Sequence, residues 1–346
     1  MQPAKISIIN ITSYIGTELA RLLYRHPRVQ IISVTGRSEM GKNLSEVLPH
    51  LSEIDLPIEA EPKEADLVFS SLPHKASAEA LLPLIERGIR IVDLSADFRL
   101  KKAESYQRWY DFTHPAPEFL KKAVYGLTEF HRPQIAHSSL VANPGCYPVS
   151  ALLALAPAVK ERLIHPDIIV DSKSGISGAG RTLSLGTHYS EVNENVSAYA
   201  LEGHRHLPEI LQELKALSPD FSPSLTFLPH LVPMTRGILS SCYAQLVEGK
   251  IASSQKGIAK LRQIYRDFYR GEPFVRIVEA PPQTKQTWGS NLCLIYPTID
   301  LRTNRLIVIS CLDNLVKGGA GQAIQNMNLM LGFPETMGLE ALAIYP

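Results

Sequence analysis

The chain has 346 residues, enough for two domains of ordinary size, and its 45% hydrophobic and 20% charged residues exclude a disordered or fibrous protein. Its net charge of +1 gives no electrostatic reason to expect a nucleic acid or a membrane surface as partner. The four cysteines lack the Cys-x-x-Cys spacing of zinc sites, so we expect no metal and no disulfide, which suits a cytoplasmic protein. We find no signal-peptide pattern and no apolar run of membrane-spanning length.

The first part of the chain alternates short apolar strands with helical patterns. Helices are predicted after residue 16, where Leu19, Leu22 and Leu23 form a stripe, and over 76–86, where Gly88 follows as a C-cap. This β-α-β alternation predicts an α/β domain whose parallel, doubly wound sheet carries helices on both faces. The predicted strands lie at 6–9, 29–35, 66–70 and 89–94.

The pattern changes after residue 146, where strands follow strands. A helix is predicted over 254–269, a hairpin connection over 300–305 and a final helix over 318–331. We therefore predict an α+β domain with a mainly antiparallel sheet in residues 146–313, while a C-terminal helix within 314–346 completes the first domain. The predicted strands lie at 168–172, 225–227, 238–247, 274–278, 292–299 and 306–312.

Cys146 is the most informative single position. It follows a strand predicted at 140–142 and an Asn-Pro-Gly turn, and an apolar helical pattern over 149–163 begins just beyond it. A thiol at a helix start lies near N–H groups that favour the thiolate, the form that attacks carbonyl carbons. We therefore interpret Cys146 as a nucleophile. The other three cysteines lie in apolar, strand-like runs and are predicted to be core residues: Cys242, Cys293 and Cys311.

The first strand leads into a turn where dinucleotide-binding domains have a glycine-rich loop. Only Gly16 remains of those glycines, and it preserves a close contact between helix and strand. Asn10 can adopt the left-handed backbone of a turn glycine, whereas the side chain of Ser13 is predicted to crowd a pyrophosphate. By itself, the turn is equally compatible with an ordinary strand-to-helix connection.

The second strand ends without the acidic residue that commonly binds the ribose hydroxyls of NAD. Arg37 and Ser38 stand there instead and suit a 2′-phosphate, which favours NADP(H), although a solvated surface arginine is an equally good interpretation of Arg37 alone. We therefore predict a Rossmann-type NADP-binding domain in residues 1–145.

Five further segments, together with Cys146, resemble those of the N-acetyl-γ-glutamyl-phosphate reductase family, within the aspartate-semialdehyde dehydrogenase superfamily. The resemblance runs from about residue 6 to residue 339 and departs from the family pattern at Asn10 and Ser13, where the family has glycines. The segments are LSADFR (94–99), KSGISGAGR (173–181), GHRHLPE (203–209), PMTRG (233–237) and DNLVKGGAGQ (313–322).

The resemblance implies the NADPH-dependent reduction of an acyl phosphate to a semialdehyde in arginine synthesis, with Cys146 as the nucleophile. It also implies that the second domain is catalytic and dimerising, in a homodimer or homotetramer. Asn314 matches a residue near the nicotinamide. The other positions assigned to the cofactor are Ser13, Tyr14 and Gly16 in the phosphate turn, Arg37 and Ser38 at the adenosine end, and Ser174, Gly175, Ser177 and Gly178 in the loop beside the cofactor and nucleophile.

This chemistry also needs a proton-transfer group and an anion-binding group. We predict His206 as the acid/base and His204 as a substrate contact, because histidine titrates near neutral pH and two residues two apart share a face of an extended segment. If Pro208 opens a helix, Glu209 lies one turn beyond His206 and can orient its ring; we also assign Glu209 to the substrate-binding residues. Arg99 resembles the superfamily's anion-binding arginine and is assigned to the phosphate.

Two sets of residues and two other functions stay open. Arg236 suits the α-carboxylate of the substrate, although a structural salt bridge explains it equally well, and the polar side chains of 191–195 could hold the substrate or cap loops. One alternative is a reductase of carrier-linked aminoadipyl or glutamyl phosphate, but no basic docking cluster stands out. The other is a non-catalytic nucleotide-binding protein, which retention of Cys146, Lys173, His206 and Asn314 disfavours.

Overall fold

The computed structural model describes residues 2–346, which divide into two compact units. The first unit runs to Gly145 and also includes Gly319–Ala341, and the second comprises Cys146–Gly318 and Leu342–Pro346. The sequence-based bounds placed residues 314–318 and 342–346 in the first domain instead.

The strands, in chain order, are β1 (Ala4–Ile9), β2 (Val29–Thr35), β3 (Ile58–Glu59), β4 (Leu67–Ser70), β5 (Arg90–Asp93), β6 (Val124–Tyr125), β7 (Leu140–Ala142), β8 (Ile164–Gly175), β9 (Ser197–Ala198), β10 (Ser224–Val232), β11 (Ile238–Leu246), β12 (Val275–Ile277), β13 (Cys293–Asp300) and β14 (Arg305–Leu312). The helices are α1 (Tyr14–Leu23), α2 (Leu44–Val47), α3 (Ser77–Glu86), α4 (Ala103–Tyr110), α5 (Pro117–Leu120), α6 (Thr128–Ala136), α7 (Cys146–Lys160), α8 (Tyr189–Val192), α9 (Leu207–Leu217), α10 (Gln255–Phe268) and α11 (Gly321–Met330).

The first unit contains a parallel sheet with the strand order β3-β2-β1-β4-β5-β7-β6. Its central strands are largely apolar because helices cover both faces of such a sheet; Ile6 and Ile8 of β1, for example, are fully buried. The predicted doubly wound α/β architecture is confirmed. From β1 the chain moves to β2 on one side and later to β4 on the other, so a crevice opens at the carboxyl ends of β1 and β4.

Several short elements of the first unit were not predicted, since strands of two residues and helices of one turn carry little periodicity. Helix α6 was missed for another reason: Pro133 lies inside it and its backbone kinks at His131. The stripe predicted in α1 is confirmed, because Leu19, Leu22 and Leu23 are buried.

The second unit contains a mixed sheet with the order β12-β13-β14-β11-β8-β10-β9, in which four of the six strand pairings are antiparallel. The prediction of a mainly antiparallel sheet is confirmed, and β13 and β14 form the predicted hairpin. The two parallel pairings join β8 to β10 and β12 to β13.

Helix α7 is the core helix of the second unit, with 13 of its 15 residues buried. It begins at Cys146, three residues earlier than predicted. Pro157 has no N–H, so the carbonyl of Leu153 lacks its usual helical partner, and the hydroxyl of Tyr269 donates to that oxygen at 2.6 Å. The neighbouring carbonyl of Ala154 accepts from the Tyr265 hydroxyl at 2.9 Å, so α10 is fastened to α7 where proline weakens it.

Candidate active site

Cys146 is the first residue of α7 and the one residue between positions 140 and 159 that is not buried. The other three cysteines are fully buried, as predicted, and burial raises the pKa of Cys242 and of Cys311 to about 12. Those thiols therefore stay protonated and inaccessible at neutral pH. Among the four cysteines, only Cys146 combines access with a helix start.

Residues 313–318, which we call the 313–318 turn, pack against Cys146; they form a turn that continues into the π-helix Val316–Ala320. A Cβ atom at Gly318 would lie 2.8 Å from the Cβ of Cys146, so only glycine fits there. The buried carboxylate of Asp313 shapes the turn by accepting from the N–H of Leu315 (2.9 Å) and of Gly289 (2.7 Å). Arg236 pairs with the same carboxylate at 3.2 Å, so the structural salt bridge considered for Arg236 is present.

The glycine-rich loop predicted beside the nucleophile comes together with Asn314. The Asn314 side chain accepts from the Gly237 N–H at 2.7 Å and donates to the Ser177 hydroxyl at 3.0 Å. A Cβ at Gly178 would lie 2.8 Å from the Ser174 hydroxyl oxygen. Gly175 is equally constrained, because a Cβ there would lie 2.7 Å from the carbonyl oxygen of Thr235.

Aromatic rings surround the two predicted histidines. We call Tyr147, Tyr199, His204, His206 and Phe227 the histidine–tyrosine cluster. The ring centroid of His204 lies 4.7 Å from that of His206 and 5.4–5.7 Å from the other three. Sequence analysis missed the three other rings; Tyr147 adjoins Cys146 in sequence, but nothing in the pattern pointed to Tyr199 or Phe227.

The two histidines differ in their surroundings. Burial lowers the pKa of His204 to about 4, with the charge of Arg205 acting in the same direction, so His204 is neutral at pH 7. Its Nδ1 accepts from the backbone N–H of His206 at 3.0 Å. The segment is therefore a turn, and the extended conformation assumed from the sequence is wrong, although the two rings do meet.

The hydroxyl groups of the histidine–tyrosine cluster form a short chain. Tyr199 donates to Tyr147, and Tyr147 donates to the carbonyl of His230, each at 3.2 Å. Burial raises the pKa of both tyrosines, that of Tyr199 to about 12, and the charge of a Cys146 thiolate raises both further. Both hydroxyls therefore remain protonated, and able to donate, at neutral pH.

Two residues assigned to the substrate have structural partners. Pro208 stands in the first turn of α9, as predicted, and Glu209 behind it is fully buried, which favours orienting His206 over touching substrate. Arg99 is 7% exposed, and its Nε and Nη2 donate to the carbonyls of Asn143 and Leu94, each at 2.8 Å. This geometry favours a clamp on the turn that precedes Cys146 over direct contact with phosphate.

Lys173 lies on the sheet face opposite Ser172 and Ser174. Its Nζ lies 2.6 Å from Asp171, and the second oxygen of that carboxylate lies 3.1 Å from Nδ1 of His230. The charge of Lys173 is therefore paired with Asp171 within the sheet of the second unit. The polar side chains of 191–195 are mostly exposed, and Asn195 donates to the carbonyl of Glu191 at 2.9 Å, which is a local loop contact.

The turn after β1 fits a dinucleotide phosphate. Asn10 has the predicted left-handed backbone, with φ of 64°. A Cβ at Gly16 would lie 2.5 Å from the Asn10 carbonyl, so the predicted close helix–strand contact is confirmed. The Ser13 hydroxyl caps α1 by accepting from the Gly16 N–H at 2.8 Å and also bonds to Ser71, which follows β4. Sequence analysis missed Ser71, which completes the crevice between β1 and β4.

The other proposed cofactor residues of the first unit lie at its surface. Tyr14, at the first position of α1, is 43% exposed, and Arg37 and Ser38 are exposed beyond the end of β2. A switch-point crevice, a helix N-terminus and an exposed arginine in place of the acidic residue together fit NADP(H).

Within residues 2–346, no three His, Cys, Asp or Glu side chains are grouped as metal ligands would be. The described helices include none that is both long and apolar enough to cross a membrane.

Comparisons with known proteins agree with this arrangement. Residues 5–138 match the family described as semialdehyde dehydrogenase, NAD binding domain, and residues 146–314 match semialdehyde dehydrogenase, dimerisation domain. The fold is similar to that of aspartate semialdehyde dehydrogenase with NADP from Candida albicans, at a TM-score of 0.72 and 14% identity over 95% of this chain and 99% of that one. The fold and the site thus define the semialdehyde dehydrogenase class.

The sequence relatives are more specific. The chain is 53% identical, over the full length of both chains, to an N-acetyl-γ-glutamyl-phosphate reductase of Dehalococcoides mccartyi. It is 49% identical to the enzyme of that name from Pelotomaculum thermopropionicum over 99% of both chains. The chain belongs to the N-acetyl-γ-glutamyl-phosphate reductase family.

Proposed function

We propose that the protein reduces N-acetyl-L-glutamyl 5-phosphate with NADPH to N-acetyl-L-glutamate 5-semialdehyde and phosphate, a step in the synthesis of L-arginine. The observation that carries this proposal is Cys146: an accessible thiol at the start of a buried helix, held against the 313–318 turn, in a chain of this family.

The residues proposed for the cofactor are those that the family resemblance assigns. The β1–α1 turn with Ser13, Tyr14 and Gly16 would hold the pyrophosphate, and Arg37 with Ser38 would hold the 2′-phosphate. The loop of Ser174, Gly175, Ser177 and Gly178, together with Asn314, would hold the nicotinamide end. Bound NADPH supplies the hydride that reduces the acyl group.

Cys146 begins the reaction. Its thiolate attacks the carbonyl carbon of the acyl phosphate, a C–S bond forms, the C–O bond to phosphate breaks, and phosphate leaves. After reduction, the thiohemiacetal loses its hydroxyl proton, the C–S bond breaks, and the aldehyde and the thiolate are released. The first N–H groups of α7 are suited to stabilise the oxyanion at both tetrahedral stages.

His206 is the proposed acid/base, and the structure supplies a reason to choose it over its neighbour. His204 has its pKa lowered to about 4 and its Nδ1 occupied by the His206 N–H, so it has no proton to give as an imidazolium at neutral pH. His204 instead packs within the histidine–tyrosine cluster and stabilises the turn that carries His206. Arg236, which pairs with Asp313, stays a candidate for the substrate carboxylate.

The proposed assembly is a homodimer that forms through the second unit, whose matching family is described as a dimerisation domain. One face of the sheet in that unit points away from α7 and carries half-buried or exposed apolar side chains on four adjacent strands. These are Ile169, Tyr243, Ile307, Ile309 and Tyr296, which the strand register places on one face. A face of this kind suits a second copy of the chain.

Sedimentation velocity tests the assembly. Ile309→Arg places a charge on this face and is expected to convert dimer to monomer, whereas Met40→Arg, at a position 60% exposed in the first unit, is expected to stay dimeric. A dimer that survives Ile309→Arg would move the interface elsewhere.

The activity itself is tested in the reverse direction, by NADP⁺ reduction with N-acetylglutamate semialdehyde and phosphate. Cys146→Ser is expected to lose about 10⁴-fold or more in kcat, because a serine hydroxyl is scarcely ionised at neutral pH. Cys311→Ala, at a buried thiol, is the matched control and should retain activity. A wild type without this activity, or a serine variant close to wild type, would contradict the proposal.

A further inference from the structure

Four buried serine hydroxyls lie beneath α7 in the second unit, and we call them the serine ladder. Ser172, Ser240 and Ser310 are register partners on the adjacent strands β8, β11 and β14 and point to the same face of the sheet. Ser150 comes down to them from α7. All four residues are fully buried.

The hydroxyls of the serine ladder are joined by short hydrogen bonds. Ser150 Oγ lies 2.6 Å from Ser310 Oγ and donates to Ser240 Oγ at 2.9 Å, and Ser240 Oγ lies 2.7 Å from Ser172 Oγ. The backbone carbonyl oxygen of Ser150 lies 3.0 Å from Ser310 Oγ and is an alternative acceptor for the single Ser310 hydroxyl proton. One order of protons satisfies these contacts: Ser310 donates to Ser150, Ser150 to Ser240, and Ser240 to Ser172.

The serine ladder gives α7 a directional contact that its other side chains cannot give. Ser150 is the one polar residue in α7 between Pro148 and Val159, and the rest of that stretch is alanine, leucine, valine and proline. Apolar packing is non-directional, so by itself it fixes the position of a helix along its axis only loosely. Hydrogen bonds weaken steeply when their geometry is lost, and therefore set that position.

The same hydroxyls are close in sequence to the candidate active site. Ser150 follows Cys146 by four residues, about 6 Å along a helix and on the same side of it. The three strand serines lie near the strand ends that lead into the site: Ser172 is two residues before Ser174, Ser240 three after Gly237, and Ser310 four before Asn314. The ladder therefore joins the helix of the nucleophile to the strands that carry the loops around it.

We infer that the serine ladder is a positioning element that holds Cys146 in register with the 174–178 loop and the 313–318 turn. The inference rests on the proposed role of Cys146 as nucleophile. The fit between Cys146 and Gly318 leaves little room for a shift of α7, since a single added carbon at Gly318 would already overlap the cysteine.

Ser150→Ala is the direct test. It removes the two side-chain hydrogen bonds of Ser150 to the sheet, while the remaining hydroxyls keep acceptors, because Ser310 can still donate to the backbone carbonyl of residue 150 and Ser240 to Ser172. We expect kcat to fall about 10- to 100-fold, as displacements of about 1 Å do, with KM for phosphate and semialdehyde changed by less than about threefold. Val159→Ala, fully buried at the other end of α7, should lower thermal stability while leaving kcat unchanged.

The double variant Ser150→Ala/Ser240→Ala should be no slower than Ser150→Ala alone, because the contact between Ser150 and Ser240 is already lost in the single variant and Ser240→Ala removes in addition only the bond to Ser172 within the sheet. Additive losses, a Ser150→Ala kcat within about twofold of wild type, or an equal loss in Val159→Ala would each overturn the inference. The rate at which iodoacetamide alkylates Cys146 gives a second readout. Ser150→Ala should change this rate about threefold or more, whereas Val159→Ala should leave it unchanged. An inactive wild type would contradict the proposed function, whereas an active wild type with a fully active Ser150→Ala would contradict only the ladder's role.

Discussion

The β1–α1 and β7–α7 turns both lead from an apolar strand into a helix, but they differ in structure. The β1–α1 turn of the first unit is closed by a side chain: Ser13 caps the helix and is bonded to Ser71. The turn after β7 leads to a helix whose first residue is Cys146, with nearly every other residue of the helix buried. We propose that the first turn binds phosphate and that the second presents the thiol.

The two turns should respond differently to substitution. Changes in the β1–α1 turn or at Arg37 should act on the affinity for NADPH and leave the chemical step intact, whereas changes in α7 should act on the chemical step and leave that affinity intact. A variant in either region that changed both quantities would show that the two effects are not separable.

The largest effect among the remaining sites is expected at His206. His206→Asn should lower kcat about 10²- to 10⁴-fold, the usual contribution of a general acid/base, with NADPH affinity unchanged. His204→Asn is the matched change two residues earlier and should be milder. Steady-state kinetics with nucleotide fluorescence titration measures both quantities; an inactive His204→Asn beside a nearly normal His206→Asn would exchange the two roles.

Arg37→Ala should act only on binding. Loss of a charged hydrogen bond to the 2′-phosphate is expected to weaken NADPH roughly 10- to 100-fold, with little change for NADH, which lacks that phosphate. Titration of both nucleotides by fluorescence is the measurement, with Lys42→Ala as an exposed control nearby. Equal losses for the two nucleotides would remove Arg37 from the 2′-phosphate site.

His204 should also make the protein sensitive to acid. Its folded pKa of about 4 lies below the usual 6.5, so as the pH falls through this window the unfolded chain takes up the proton first, and stability present above pH 6.5 is lost. The loss is on the order of 2 kcal/mol by pH 5, at about 1.4 kcal/mol per pKa unit. Urea unfolding at pH 7.5 and pH 5 should show that the free energy of unfolding decreases less in His204→Asn than in the wild type. The same decrease in both would contradict this assignment.

The smallest effect is expected at Ser13. The sequence alone suggested that its side chain crowds a pyrophosphate, so that glycine would tighten binding. Because the hydroxyl is turned to Gly16 and Ser71, Ser13→Gly should cost only a few tenths of a kcal/mol in stability and change the Kd for NADPH less than about threefold. Ser13→Ala, which keeps the Cβ and loses the cap, is the control. A tenfold tighter Kd in the glycine variant would restore the crowding hypothesis.

Much of this arrangement was predictable because local patterns determine it. Strands β2 and β7 begin and end at the residues predicted from their apolar runs, and Asn10 takes the left-handed conformation that its residue type allows. The Asn314 contacts and the histidine–tyrosine cluster could not be predicted from sequence, since they join residues far apart in the chain. The lowered pKa of His204 results from its burial in that cluster and could not be predicted either.

The central claim is that Cys146 alone is an accessible, activated thiol, and differential alkylation tests it most directly. The folded protein is treated with limiting iodoacetamide at pH 7, and carbamidomethylation of each cysteine is quantified by peptide mass spectrometry. We expect Cys146 to be modified well before Cys242, Cys293 and Cys311, with loss of activity in step with its modification. Comparable labelling of all four cysteines, or full activity after Cys146 is modified, would contradict the account.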